Sequence, residues 1–143
     1  MQWNRHAAAA VLVAVASATV TAQSGQGAKP SMSLRASPSM AFTPARVVVT
    51  AELRNVRQDD GTFYCPALEW TWGDGTRSEE RPNCDPFEAG VSQVRTRYVK
   101  QYTFYSAGRY RVTLRLKRGN DVILAGSTEV TIREGGYTGP PED

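Results

Sequence analysis

Between Arg109 and Lys117 the chain reads RYRVTLRLK, with apolar residues at every second position. Side chains of an extended strand point to opposite faces in turn, so this stretch sorts its residues only as a β-strand. Tyr110, Val112, Leu114 and Leu116 then face inward, and Arg109, Arg111, Arg115 and Lys117 face outward. A helix would scatter the same residues around its axis. The pattern recurs in RVVVTAEL from Arg46, with Val47, Val49, Ala51 and Leu53 inward, and in ALEWTW from Ala67, where Leu68, Trp70 and Trp72 share a face. Met32 to Ala36 predicts a short first strand. Val91 to Phe104 predicts one long strand or two short ones, with Val94, Thr96 and Tyr98 on one side. Val122 to Ile132 predicts the last, broken near Gly126. Turn signals separate these runs: Asn55 to Gly61, Gly73-Asp74-Gly75, Ser106-Ala107-Gly108 and Arg118 to Asp121. Arg77 to Gly90 is polar and acidic and holds two prolines, so it reads as a loop.

No helical period occurs after the first 30 residues. About seven strands in about 100 residues, with a tryptophan on a middle strand, predict an all-β, immunoglobulin-like β-sandwich. A small closed barrel is the competing fold.

The N-terminal stretch is of another kind. Arg5 precedes an uncharged apolar run from Ala7 to Ala18, and small residues follow. That order is the order of a secretory signal peptide, residues 1–22, with cleavage expected after Ala22 or, alternatively, after Ala18. The run is shorter than the ~20 residues needed to span a bilayer, although an N-terminal anchor is the competing reading. Residues 23–31 read as a flexible leader, 32–133 as one domain and 134–143 as a disordered tail. Secretion or export to a periplasm is therefore expected, with no membrane span once the signal is removed.

The mature chain of about 120 residues has no histidine, since His6 is lost. It keeps one basic residue fewer than the chain's 17, against 14 acidic ones. So small an excess does not point to nucleic acid as a partner. Without histidine the commonest general base and the commonest zinc ligand are missing. Cys65 and Cys84 are the only cysteines. In an exported protein such a pair predicts a disulfide, which stabilises by about 3 kcal/mol for a loop of this size.

Two blocks carry a resemblance to a known family. Trp70-Thr71-Trp72-Gly73-Asp74-Gly75 resembles the W-x-F-G-D-G signature of PKD (polycystic kidney disease-type) domains. Tyr102-Thr103-Phe104, then Gly108, then Tyr110-x-Val112-x-Leu114 resembles that family's H-T-Y, G, Y-x-V-x-L pattern in order and spacing. The resemblance extends from about Met32 to Ile132. It implies a PKD-type sandwich and a non-catalytic extracellular module for binding, spacing or adhesion. Trp72 departs from the pattern's phenylalanine. Tyr102 and Phe104 depart from its histidine and tyrosine, which implies that a hydrogen bond from that tyrosine hydroxyl is lost.

The candidate sites are few. Asp74 between two glycines suits a tight turn, and a calcium ligand is the alternative, in company with Asp59, Asp60 and Asp85. Trp70 reads as core; Trp72 reads as core or as an edge ring able to stack on a sugar. Glu79 and Glu80 are carboxylates in a loop with nothing to hold them as a hydrolytic pair. Arg109, Arg111, Arg115 and Lys117, joined by Arg95 and Arg97 if the two strands pair, would form a basic stripe. Its plain reading is a solvated face, its sharper one a surface for an anionic glycan. No catalytic residue, metal or cofactor is expected. The partner is an extracytoplasmic protein or a glycan.

Overall fold

The computed structural model describes residues 27–136. The expected signal peptide with its expected cleavage site, the start of the expected leader and the tail from 137 onward lie outside the described residues. The fold is all-β, with eight strands among the described residues: β1 (Ser31–Ser37), β2 (Met40–Phe42), β3 (Ala45–Arg54), β4 (Ala67–Thr71), β5 (Arg77–Glu80), β6 (Arg97–Phe104), β7 (Gly108–Arg118) and β8 (Asp121–Arg133). They form two sheets, ordered β1-β3-β6 and β2-β8-β7-β4-β5. All pairs are antiparallel except β2 with β8.

The period-two pattern places the core. Val47, Val49, Ala51 and Leu53 of β3 are buried, and so are Leu68 and Trp70 of β4 and Val112, Leu114 and Leu116 of β7. They meet between the sheets with Phe104, Val130 and Ile132. Burying a large apolar side chain stabilises by about 1.5–3 kcal/mol, so this layer holds the two sheets together. At the β7–β8 hairpin, Arg118 pairs with Asp121 across Gly119, whose φ of 60° lies in the left-handed region.

Four local expectations need correction. The segment expected to be all loop from Arg77 begins as β5, an edge strand paired with β4 from Thr71↔Arg77 to Leu68↔Glu80. A polar edge strand and a polar loop share one composition, and no apolar alternation separates them. The three-residue β2 was not expected. Only Ala41 turns inward, while Met40 and Phe42 stay exposed, so there is no period to read. β8 runs unbroken through Gly126. Glycine is there because β1 crosses closely: a Cβ would lie 2.8 Å from Leu34 Cδ1 and 3.1 Å from the Met32 carbonyl oxygen. Finally, β6 starts at Arg97, and Thr96 is exposed rather than aligned with Val94 and Tyr98. Val94 reaches the core from a loop that Gln58 holds, its side-chain oxygen accepting from the Val94 N–H at 2.8 Å.

Candidate functional site

The stretch from Trp70 to Thr76 ends β4 and turns into β5. Gly73 has a φ of 84°, and a Cβ on it would lie 2.8 Å from both the backbone N and O of Arg111. Only glycine fits so close to β7. Asp74 closes the turn. Its Oδ1 accepts from the Thr76 N–H at 3.0 Å and from the Thr76 hydroxyl at 2.7 Å. Its Oδ2 accepts from the Tyr102 hydroxyl at 2.6 Å. Tyr102 belongs to β6, so the carboxylate ties a turn of one sheet to a strand of the other. The hydroxyl that Phe104 lacks is not replaced at that position; the departure at Tyr102, where the pattern has histidine, supplies a different hydroxyl bond.

Behind the turn runs a column of rings. Trp70 and Trp72 stack at 5.6 Å and 7°, Trp72 and Tyr102 at 4.3 Å and 7°. Phe104 meets Tyr102 edge-on at 4.9 Å and stacks on Tyr110 at 4.6 Å. Trp72 is 1% exposed, and its Nε1 donates to Ser78 Oγ at 3.2 Å. The idea of an exposed edge ring for sugar stacking is therefore corrected: Trp72 lies inside the column. Tyr110 anchors the far end, donating to the Ser106 carbonyl at 2.8 Å.

Burial raises the Asp74 pKa, but the bonds from the Thr76 hydroxyl, Tyr102 and the Thr76 backbone outweigh it and leave the carboxyl below its ordinary value. A depressed carboxyl contributes stability that is full above the unfolded value, about 3.9, and is lost as pH falls through the folded value. Asp74→Ala is accordingly expected to lower stability by about 1 kcal/mol at neutral pH, a modest figure because the turn is exposed. Thermal melts at falling pH should show the gap to wild type closing in the acid range. A gap that stays constant there would contradict the charge-assisted bonds.

The other carboxylates are dispersed. Asp59 pairs with Arg57, and Asp60 caps the short 3-10 turn at Thr62. Among the described residues no three Asp, Glu, Cys or His side chains gather as a metal-binding group. Glu79 and Glu80, adjacent on β5, point to opposite faces. Glu79 holds Arg81, and Glu80 holds Lys100 of β6.

The basic stripe is divided. Arg97 opens β6 of the three-stranded sheet, Arg95 lies in the loop before it, and β7 is in the five-stranded sheet, so Arg95 and Arg97 do not join Arg109, Arg111, Arg115 and Lys117. Sequence adjacency misled here because the chain crosses between sheets after β6, as sandwiches require. On β7, Arg115 and Lys117 both reach Glu69 of β4 at 3.3 Å, and Arg111 reaches Glu129 of β8 at 3.4 Å. These cross-strand acids sit opposite in register, Glu69↔Arg115 and Arg111↔Glu129, and neutralise much of the face. Arg97 instead lines a hollow on the outer face of the other sheet with Arg35, Arg54 and Glu52. Arg35 and Arg54 were missed because their short outward runs look like ordinary strand exteriors.

Cys65 and Cys84 form the expected disulfide, with a Cα–Cα distance of 6.3 Å. It joins the base of the β4–β5 hairpin. Arg118 braces the same end, its guanidinium donating to the carbonyls of Thr62 at 3.0 Å and Tyr64 at 3.1 Å.

No protein-family model matches the chain, and no curated protein matches it in sequence. Solved structures do match it in shape. The PKD domain of an M14-like peptidase from a Thermoplasmatales archaeon is similar over 74% of this chain and 98% of that domain, with a TM-score of 0.51 and 16% identity. A CARDB domain from Pyrococcus furiosus, solved in complex with di-metal ions, aligns over 75% of this chain and 94% of its own, with a TM-score of 0.47 and 8% identity. With its two sheets, its W-x-W-G-D-G stretch with both tryptophans buried and this likeness, the chain has the immunoglobulin-like β-sandwich fold of the PKD type.

Proposed function

We propose that the chain is a non-catalytic extracytoplasmic module that mediates protein interaction or structural support. One observation carries this reading. The residues most able to serve chemistry are committed to the fold: Asp74 is held on both oxygens, Trp70 and Trp72 are buried, and Glu79 and Glu80 face apart in separate ion pairs. The Cys65–Cys84 bridge favours an oxidising compartment. Fractionation of the producing cell tests the compartment. The protein is expected outside the cytoplasm with Gln23 at its N-terminus. Protein retained in the cytoplasm with Met1 intact would contradict it.

A second reading, polyanion or carbohydrate binding, keeps support from one feature. Arg35, Arg54 and Arg97 surround the hollow on the three-stranded sheet and form no ion pair among the described residues. Binding through them should weaken steeply as salt rises toward about 0.5 M, because screening shortens the reach of exposed charges. Polysaccharide binding that resists salt, or none at low salt, would remove this reading.

A further inference from the structure

Beside the disulfide, β4, β5 and the loop before β6 enclose a cleft of about 450 Å³. Small-ligand clefts commonly measure about 300–1,000 Å³. Tyr64, Pro66, Leu68, Pro82 and the disulfide give it apolar walls. Two charged groups at its rim are already neutralised, Glu80 by Lys100 and Arg81 by Glu79.

Two donors in the cleft have no acceptor. Tyr98 is 4% exposed, and its hydroxyl is the one buried side-chain polar atom without a hydrogen-bond partner among the described residues. Burial raises its pKa while Arg95 opposes this, and the net rise keeps the hydroxyl protonated at neutral pH. Arg95 lies over the Tyr98 ring, 5.7 Å from its centroid, and pairs with no carboxylate among the described residues. A buried hydroxyl left unpaired is destabilising, and it is the kind of group a ligand satisfies. One cation and one neutral donor suit a single negative charge better than a phosphate dianion. The apolar walls require an apolar body behind that charge.

We propose that this cleft binds an apolar carboxylate, with Arg95 and Tyr98 taking the carboxylate and Leu68, Pro66 and the disulfide taking the apolar part. Arg95 is exposed and lies over the ring, and it must swing aside to admit the carboxylate to the Tyr98 hydroxyl. The carboxylate belongs either to a free acid or to the C-terminus of a peptide. The inference goes beyond the module reading, which stands or falls on compartment and not on this cleft.

The test is a titration of isotope-labelled protein followed by NMR. The probes are phenylbutyrate, its primary amide, and a short peptide ending in phenylalanine with either a free or an amidated C-terminus. The acid is expected to shift the amide signals of Leu68 and of Gln93 to Tyr98, and its amide is not. Arg95→Ala, a change at an exposed residue, is expected to weaken acid binding about tenfold or more. Tyr98→Phe is expected to weaken binding and at the same time raise Tm, because it removes the unpaired hydroxyl. A purely structural tyrosine would lower Tm and leave binding alone. Tighter binding of the free peptide than of the acid assigns a chain terminus as the source; the reverse assigns a free acid. No shift with either carboxylate, equal binding of carboxylates and amides, or indifference to Arg95→Ala would overturn the proposal.

Discussion

Trp72→Ala is expected to destabilise the domain by about 3–5 kcal/mol, the usual cost of deleting a large buried ring. Trp72 is 1% exposed and stands between Trp70 of its own sheet and Tyr102 of the other. Removing it opens a cavity in the aromatic column and strands the Ser78 hydroxyl that its indole N–H reaches. Small domains keep about 5–15 kcal/mol in all, so the loss is a large share of the total. Trp72→Phe keeps a stacked ring and is expected to cost about 1–2 kcal/mol. Urea denaturation followed by far-ultraviolet circular dichroism measures both. A Trp72→Ala cost below about 1 kcal/mol would return the ring to the sandwich edge, where deletion leaves no cavity.

Opening the disulfide is the second large effect. Cys65 and Cys84 lie 19 residues apart and enclose β4, the Gly73–Gly75 turn and the whole of β5. Cross-linking a loop of that length restricts the unfolded chain by about 3 kcal/mol. Replacing both cysteines by serine should therefore lower Tm by on the order of 10 °C, with equal loss on adding reductant to wild type. The loss should be felt first at β5, an edge strand of four polar residues with only β4 beside it. Hydrogen exchange would show its amides opening before those of β3 and β7. Unchanged Tm in the double serine variant would mean that the bridge adds nothing to the hairpin.

Much of this fold was legible in the sequence because burial on one face writes a period of two. β3, β4 and β7 carry that period, and their inward residues are the buried ones, except Tyr110, which is half-buried. β2 and β5 do not carry it, since neither has an inward row long enough to leave a pattern. The turn was legible for a related reason: Gly73 needs both a left-handed φ and the absence of a Cβ. What sequence could not supply was which strand lies across from which. The Asp74–Tyr102 bond joins residues 28 positions apart in opposite sheets. The pairing of Glu69 with Arg115 and Lys117 spans 46 and 48 positions. A basic stripe assembled from neighbouring strands in the sequence fails for that reason, as does the notion of Trp72 as an edge ring. The cleft beside the disulfide was hidden too, because it takes its lining from β4, β5 and the loop before β6 at once.

The W-x-W-G-D-G stretch clasps the two sheets through the bond from Tyr102 to Asp74. A double-mutant cycle of Asp74→Ala and Tyr102→Phe at neutral pH tests it most directly, with unfolding free energies measured for wild type, both single variants and the double variant. Groups joined by one hydrogen bond are coupled, and the exposed position holds the expected coupling to about 0.5–1 kcal/mol. A coupling in that range means that the carboxylate and the hydroxyl act on each other across the sandwich. Strictly additive losses would mean that Asp74 does not hold the sheets together, and the account of the turn as a clasp would be wrong.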